Sequence, residues 1–363
     1  MRDFSQVKRV VIKVGTNVLS KNAGVDTEFL RVIACQISEL LEQGRQVILV
    51  TSGAIGMGIG ALGLNKKVML VKLRQACAAV GQSILMHEYQ EAFSCCGRKI
   101  AQILLTNTIM NNRRYYVNLK NTVEMLLDMS VVPIVNENDC VSIDEIDLAF
   151  GDNDKLSALV ASKVDAELLI MLTDVDGFFN ANPRKNAQAE LLSTVYEITD
   201  EMEAQAGSAG TQVGTGGMKS KLAAIRIAAQ AGCCVVLANG REKDVLLHIV
   251  QGQETGTLFL PKRKLSNRKR WILNSRAQGR INIDPGAAQA IKNSRSLLLV
   301  GIGSVEGTFK EGQVVDIAGI AKGICDISAS QLRTMLSEAK DKAATAPSGK
   351  PRAIIHANNI VVL

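Results

Sequence analysis

Short runs of consecutive apolar residues, separated by helical patterns, constrain the fold of this chain more than any other feature. The runs are KRVVIKVG, QVILVTSG, KIAQILLT, VVPIVNEN, AELLIMLTD and CCVVLANG. Strands that are covered on both faces are apolar at consecutive positions, whereas half-exposed strands alternate. Helical patterns lie between the runs, at 27–44, 115–130, 154–164 and 219–232. The sequence therefore predicts an α/β fold, a three-layer sandwich with a mostly parallel central sheet.

The texture of the sequence changes after about residue 260. Residues 261–276 include PKRKLSNRKRW, with six basic side chains, which predicts a solvated basic linker. Residues 277–363 contain short strand-like runs broken by glycine turns, a pattern typical of a small β-rich domain. We therefore predict a large domain over 1–260, a linker over 261–276 and a β-rich domain over 277–363.

Composition and charge exclude several classes of protein. Hydrophobic residues make up 47% of the chain, yet no apolar run reaches the roughly 18 residues that cross a bilayer. The first fifteen residues mix charges into their apolar stretch, so we expect no signal peptide. Six basic residues of the linker account for almost all of the net charge of +7, so the rest of the chain is nearly neutral. This distribution does not favour a general nucleic-acid-binding surface. The eight cysteines contain no CxxC pair, so we expect free thiols and a cytoplasmic location.

Small polar residues collect where the predicted strands end. The carboxyl ends of parallel strands meet at one edge of the sheet, where ligands of such folds bind. The residues at these ends are Gly15, Thr16, Thr51, Ser52, Gly53, Asn136, Glu137, Asn138, Asp139, Thr173, Asp174 and Asn239. This set is suited to a small polar ligand beside phosphates.

Two glycine-rich segments and three lysines point to an anion. The five glycines of TSGAIGMGIGALG (51–63) favour an anion or substrate loop over a tightly packed turn. In VGTGGMKSK, Lys219 and Lys221 lie in or beside the first turn of a helix, where cations oppose the helix dipole unless a polyphosphate is bound. Lys13 ends the first strand, and its position fits a phosphate contact and a solvated strand-end lysine equally well. No Walker A motif is present.

Acidic and amide side chains cluster in two places. The segment 136–139 ends a strand, and Asp152, Asn153 and Asp154 precede a helix. One of these three is expected to be the helix N-cap, but that role does not explain all of them. Amides and carboxylates in this arrangement can bind the ammonium and carboxylate groups of an amino acid.

Eight segments together resemble the amino-acid kinase family, and in particular its glutamate-phosphorylating branch. They are VIKVGTNVL, VTSGAIGMG, LRQACAAVGQ, PIVNENDCV, GDNDKLSA, LTDVDGFF, GTGGMKSK and NRKRWI, and they span essentially the whole chain. The β-rich tail resembles a PUA domain. The resemblance implies ATP-dependent phosphorylation of the γ-carboxylate of L-glutamate to L-glutamyl 5-phosphate, the first step of proline biosynthesis, with ATP and Mg²⁺ as cofactors.

The resemblance also implies a role for individual residues. Lys13 would contact the transferred phosphoryl group, Lys221 would neutralise phosphate charge, and either Asp152 or Asp154 would orient the two lysines. The glutamate ligands would be Ser52, Asp139 and Asn153. The ATP ligands would be Lys13, Thr173, Asp174, Thr215, Gly216, Gly217, Met218, Lys219, Ser220 and Lys221. No metal ligand is assigned.

Partners follow from the same resemblance. It implies feedback inhibition by proline, with 140–150 as a candidate loop, and a homo-oligomer, either dimer or tetramer. It also implies a handover of the product to a glutamate-5-semialdehyde dehydrogenase. Two alternatives stay open: a kinase for another acidic amino acid, such as aspartate or N-acetylglutamate, and an RNA-binding PUA protein with a vestigial kinase domain. The tail lacks an aromatic platform, which favours a structural or regulatory appendage over RNA binding. No membrane partner is expected.

Overall fold

The computed structural model divides the chain into two compact units, Met1–Lys264 and Leu265–Leu363. The residues that it describes are 2–21, 24–64, 70–106, 113–141, 153–181, 183, 186, 188–207, 217–261, 265–342 and 353–363. The predicted boundaries of 1–260, 261–276 and 277–363 stay a prediction.

The first unit alternates strands and helices along the chain. Its strands are β1 (Arg9–Val14), β2 (Ser20–Lys21), β3 (Gly24–Val25), β4 (Gln46–Val50), β5 (Lys99–Leu105), β6 (Val131–Glu137), β7 (Leu168–Thr173), β8 (Thr194–Val195), β9 (Cys234–Asn239) and β10 (Thr257–Phe259). Its helices are α1 (Thr16–Leu19), α2 (Thr27–Glu42), α3 (Ala54–Ala61), α4 (Val71–Ser94), α5 (Arg113–Asp128), α6 (Asn153–Lys163), α7 (Asp200–Gly207), α8 (Met218–Gln230) and α9 (Val245–Val250). The six apolar runs are strands β1, β4, β5, β6, β7 and β9, as predicted.

The central sheet has eight strands in the order β5-β6-β4-β1-β7-β9-β10-β8. Every neighbouring pair is parallel except β9 and β10. Successive residues of β1 enter opposite cores: Val10 and Ile12 pack in one hydrophobic cluster and Val11 in the other. Burial on both faces explains the consecutive apolar residues and confirms the predicted three-layer architecture.

The glycine-rich segment after β4, predicted to be an anion or substrate loop, is mostly helical. Residues Ala54–Ala61 form α3, and the glycines on either side of it, Gly53 and Gly63, adopt a left-handed backbone, with φ of 100° and 64°. A β-carbon on Gly58 would lie 1.8 Å from the carbonyl oxygen of Cys77, and one on Gly81 would lie 1.8 Å from that of Ala54. These two glycines therefore let α3 and α4 pack backbone against backbone.

The second unit contains a five-stranded sheet in the order β13-β11-β14-β15-β17 and a two-stranded sheet of β12 and β16. The strands are β11 (Gly279–Ile283), β12 (Leu297–Leu298), β13 (Ile302–Gly307), β14 (Val314–Ile317), β15 (Ala321–Ile324), β16 (Ala353–Ile355) and β17 (Ile360–Val362). The helices are α10 (Asn267–Asn274), α11 (Pro285–Lys292) and α12 (Ala329–Lys342). This β-rich composition agrees with the predicted fold class of the tail.

Helix α10 lies within the segment predicted as an open linker. Ile272 is buried with Val314, Ile324 and Val361. The ammonium group of Lys322 donates hydrogen bonds to the carbonyl oxygens of Leu273 and Ser275, each at 2.9 Å. This part of the basic segment is therefore a packed element of the second unit.

Among the residues described, no helix is both long and apolar enough to span a membrane.

Two glycines of α3 provide a matched test of its packing. The Gly58→Ala substitution should lower the free energy of unfolding by about 1–3 kcal/mol, because the methyl group meets the backbone of α4. The Gly56→Ala substitution should raise it by about 0.5–1 kcal/mol, since Gly56 faces open space and alanine favours a helix. Urea unfolding of both variants measures the difference. Equal effects of the two substitutions would contradict the close packing.

Candidate active site

Two lysines and one aspartate form a buried ionic cluster at the carboxyl edge of the sheet. Lys13 is the penultimate residue of β1, Asp154 lies in the first turn of α6, and Lys221 lies in the first turn of α8. The Nζ atom of Lys13 is 2.5 Å from Oδ1 of Asp154, and that of Lys221 is 2.8 Å from Oδ2. The side chains are 4%, 1% and 11% exposed, respectively. One carboxylate thus holds two ammonium groups at a fixed separation.

The electrostatics of this cluster favour an anion. The three charges sum to one positive charge, and the amino ends of α6 and α8 add the positive ends of two helix dipoles. Charges that are removed from water interact strongly with a ligand in the same site. The cluster can therefore hold a group that carries several negative charges.

A chain of side-chain amides lies beside the cluster. The Nδ2 atom of Asn153 donates to the carbonyl oxygen of Thr51 at 2.5 Å and to Oδ1 of Asn136 at 2.9 Å. The Nδ2 atom of Asn136 donates in turn to Oε1 of Gln82 at 2.8 Å. The hydroxyl groups of Thr51 and Tyr89 share a hydrogen bond of 2.8 Å. These contacts join the ends of β4 and β6 to the start of α6.

The hydroxyl groups of Thr16 and Ser52 lie on the β1 side of the site. Ser52 Oγ donates to the carbonyl oxygen of Val14 at 3.0 Å, and Thr16 Oγ1 donates to Ser52 Oγ at 3.1 Å. Gly15 lies two residues after Lys13, and a β-carbon there would lie 3.1 Å from the carbonyl oxygen of Leu172. The small residue lets the turn after β1 approach β7 closely.

Asp174 forms a second acidic position, just beyond the end of β7. Asn17 Nδ2 donates to Oδ2 of Asp174 at 3.0 Å, and Thr173 Oγ1 donates to Oδ1 at 3.1 Å. Burial by itself would raise the pKa of Asp174, but these hydrogen bonds, the backbone and the charge of Lys221 together lower it below its ordinary value. The carboxylate is therefore ionised at neutral pH.

The structure brings many of the predicted residues to this one edge. The ends of β1, β4, β6 and β7 place Lys13, Ser52, Asp139, Thr173 and Asp174 there, and the starts of α6 and α8 place Asn153, Asp154, Gly217, Met218, Lys219, Ser220 and Lys221. Asp139 is half-buried two residues after β6, whereas Lys219 is exposed. Asp152, Thr215, Gly216 and the candidate proline segment from 142 onward lie outside the described residues. Of the two aspartates that were left open, Asp154 contacts both lysines.

Sequence reasoning missed three residues that support the site. Gln82 and Tyr89 lie on α4, and Asn17 lies on α1. Gln82 and Tyr89 are seven residues apart, two helical turns, and therefore share one face of α4. A polar pair at that spacing on a largely apolar face was the available signal.

Among the described residues, no group of three or more His, Cys, Asp or Glu side chains could hold a metal ion.

The sequence of this chain is similar to those of known proteins. The profile of the amino acid kinase family matches residues 8–239, and that of the PUA domain matches residues 279–344. The glutamate 5-kinase of Methanosarcina mazei is 47% identical over 342 residues, covering 91% of this chain and 89% of that protein. That of Geobacter sulfurreducens is 44% identical over 370 residues, covering 99% of each chain. The solved UMP kinase of Ureaplasma parvum is 16% identical, with a TM-score of 0.48, and covers 72% of this chain and 100% of its own.

The chain therefore belongs to the amino acid kinase family and carries a C-terminal PUA domain. Within that family, the relatives at 41–47% identity are named glutamate 5-kinases. The resemblance of the sequence to this family is therefore confirmed.

The ionic cluster predicts an unequal response to loss of two aspartates. Asp154→Ala should lower the free energy of unfolding by about 3–5 kcal/mol, because two buried ammonium groups lose their shared carboxylate. Asp176→Ala, at an exposed carboxylate that accepts a hydrogen bond from Asn239, should cost less than about 1 kcal/mol. Urea unfolding measures both values. A cost for Asp154→Ala no larger than that of the control would show that the carboxylate does not hold the two lysines.

Proposed function

We propose that this protein transfers the γ-phosphoryl group of ATP to the side-chain carboxylate of L-glutamate, giving ADP and L-glutamyl 5-phosphate. The observation that carries the proposal is the placement of Lys13 and Lys221 on one buried carboxylate. The names of the relatives, which match nearly the full chain, support the substrate.

The chemistry of the acceptor explains the residues that form the site. A glutamate side chain has a pKa of about 4.3 and is ionised at neutral pH, so the reaction needs no general base. The difficulty is instead repulsion, since an anionic carboxylate must approach an anionic phosphate in line. Fixed positive groups that face the transferred phosphoryl group stabilise the transition state. Lys13 and Lys221 supply these groups.

Asp154 acts in this scheme by orienting the lysines. Each of its oxygens faces one ammonium group, at 2.5 and 2.8 Å, which fixes the two cations relative to each other before substrate binds. A prearranged pair of charges requires little reorganisation during the reaction. Asp152 remains the second candidate for this role.

The two substrates are assigned to the two sides of the cluster. Ser52, Asp139 and Asn153 are assigned to glutamate, because they lie with the amide chain at the ends of β4 and β6. Thr173, Asp174 and the segment from Thr215 through Lys221 are assigned to ATP. Ser220 Oγ donates to the carbonyl oxygen of Gly217 at 2.8 Å, which supports the start of α8 on the ATP side.

Mg²⁺ is proposed as the companion of ATP. The ion prefers hard oxygen ligands and is usually bound through substrate phosphates with one or two carboxylates. Asp174 fits that donor set, since its carboxylate is ionised and exposed at the ATP side. When bound, Mg²⁺ would neutralise part of the phosphate charge.

Several expectations stay predictions from the family resemblance. They are feedback inhibition by proline, assembly into a dimer or tetramer, handover of the product to a glutamate-5-semialdehyde dehydrogenase, and a cytoplasmic location. The names of the relatives favour glutamate over aspartate or N-acetylglutamate as acceptor. No observation favours the alternative of an RNA-binding protein with a vestigial kinase domain.

The acceptor is tested by ADP release together with trapping of the acyl phosphate by hydroxylamine. Glutamate should give both signals, and kcat/KM for aspartate should be lower by roughly 10- to 200-fold, the usual effect of one methylene. Reactions without an acceptor control for ATP hydrolysis. Equal trapping with aspartate or N-acetylglutamate would refute the substrate, and absence of ADP release with every acceptor would refute the reaction.

A further inference from the structure

We propose that Gln82 is a positioning residue of the amino-acid site. It accepts a hydrogen bond from Asn136 and so holds the amide chain Gln82–Asn136–Asn153 in the direction in which Asn153 presents its carbonyl oxygen to the ammonium group of the substrate. The proposal rests on the proposed function, because it describes how the same site recognises glutamate.

The first end of the chain is fixed by a main-chain acceptor. The carbonyl oxygen of Thr51 can only accept a hydrogen bond, so the side-chain group of Asn153 that faces it at 2.5 Å must be the amide nitrogen. The second hydrogen of that nitrogen is donated to Asn136. With both hydrogens donated, Asn153 has only an acceptor, Oδ1, to offer to a ligand.

The other end is fixed by a main-chain donor. The backbone N–H of Glu137 can only donate, and it donates to Oδ1 of Asn136 at 2.9 Å. The amide nitrogen of Asn136 must then point the other way, toward Oε1 of Gln82 at 2.8 Å. The orientation of all three amides is thus set by two backbone groups and completed by Gln82.

The burial of Gln82 shows that this contact matters. Gln82 is 8% exposed and Asn136 is 1% exposed, so bulk solvent has little access to the hydrogen bond between them. Among the residues described, the Nε2 atom of Gln82 is buried without a hydrogen-bond partner. An apolar side chain of similar volume would bury no unpaired polar atom here and would favour the folded state more than glutamine does. What glutamine supplies instead is the carbonyl oxygen that accepts a hydrogen bond from Asn136.

Loss of the acceptor at position 82 would change what the substrate meets. One N–H of the buried Asn136 amide would then lack a partner, which favours a shift of that side chain away from Asn153. Asn153 would no longer be held with both of its hydrogens donated. An N–H group facing an ammonium group is repulsive, whereas a carbonyl oxygen binds it. Gln82 therefore supports binding of a substrate that carries a protonated α-amino group.

The Gln82→Met substitution removes the acceptor and keeps most of the side-chain volume. The KM for glutamate should rise roughly tenfold or more, the effect of losing a hydrogen bond to a charged group. The kcat and the KM for ATP should change by less than about threefold, because the lysine cluster is untouched. Gln82→Glu keeps an oxygen toward Asn136 and should restore most of the loss.

Glutarate separates positioning from a general structural effect, because it has the carboxylates of glutamate without the ammonium group. Its inhibition constant against glutamate should be nearly the same in wild type and in Gln82→Met. A parallel loss of glutarate and glutamate binding, or an unchanged KM for glutamate, would overturn the proposal. If the Met variant does not fold, Gln82→Asn, which withdraws the acceptor by one methylene, gives the same comparison. Wild-type turnover of glutamate tests the proposed function separately.

Discussion

A single buried carboxylate, that of Asp154, is the interaction on which the rest of the site depends. It brings together an ammonium group from the first strand and one from a helix more than two hundred residues later, at 2.5 and 2.8 Å. Without that carboxylate, the two ammonium groups would repel each other strongly, because both are largely buried away from water. The parallel sheet makes the meeting possible, because β1 lies between β4 and β7 and all three strands end at the same edge.

The surrounding structure gives each side of the site a different means of recognition. On the side of β4 and β6, three amide side chains are held in fixed positions by hydrogen bonds to one another and to the main chain. Helix α4 supplies the last member of that chain, and the close contact of Gly58 and Gly81 sets how near α4 lies to α3. On the side of β7 and α8, charge dominates, through Asp174 and Lys221. The arrangement supports the proposed assignment of an amino acid to one side and a polyphosphate to the other.

The sequence predicts the layered fold because strands covered on both faces leave an unambiguous pattern of consecutive apolar residues. It does not decide between Asp152 and Asp154, since either fits a helix N-cap; in the part of the chain that the structure describes, the carboxylate of Asp154 contacts both lysines. The glycines after β4 mislead for a related reason, because an anion loop and a helix packed at Gly58 require the same small residue. The many charges of 261–276 likewise predict a solvated linker, although the segment contains α10, which packs through the buried Ile272.

The turnover number of Lys221→Met, at saturating ATP and glutamate, tests the central role of the cluster most directly. If the two fixed cations stabilise the transition state, turnover should fall by about 10²- to 10³-fold, the effect of removing one prearranged electrostatic group. Lys99→Met is the control, because Lys99 is exposed at the amino end of β5, the edge opposite the site. Turnover of the Lys221 variant equal to that of wild type and of this control would contradict the account.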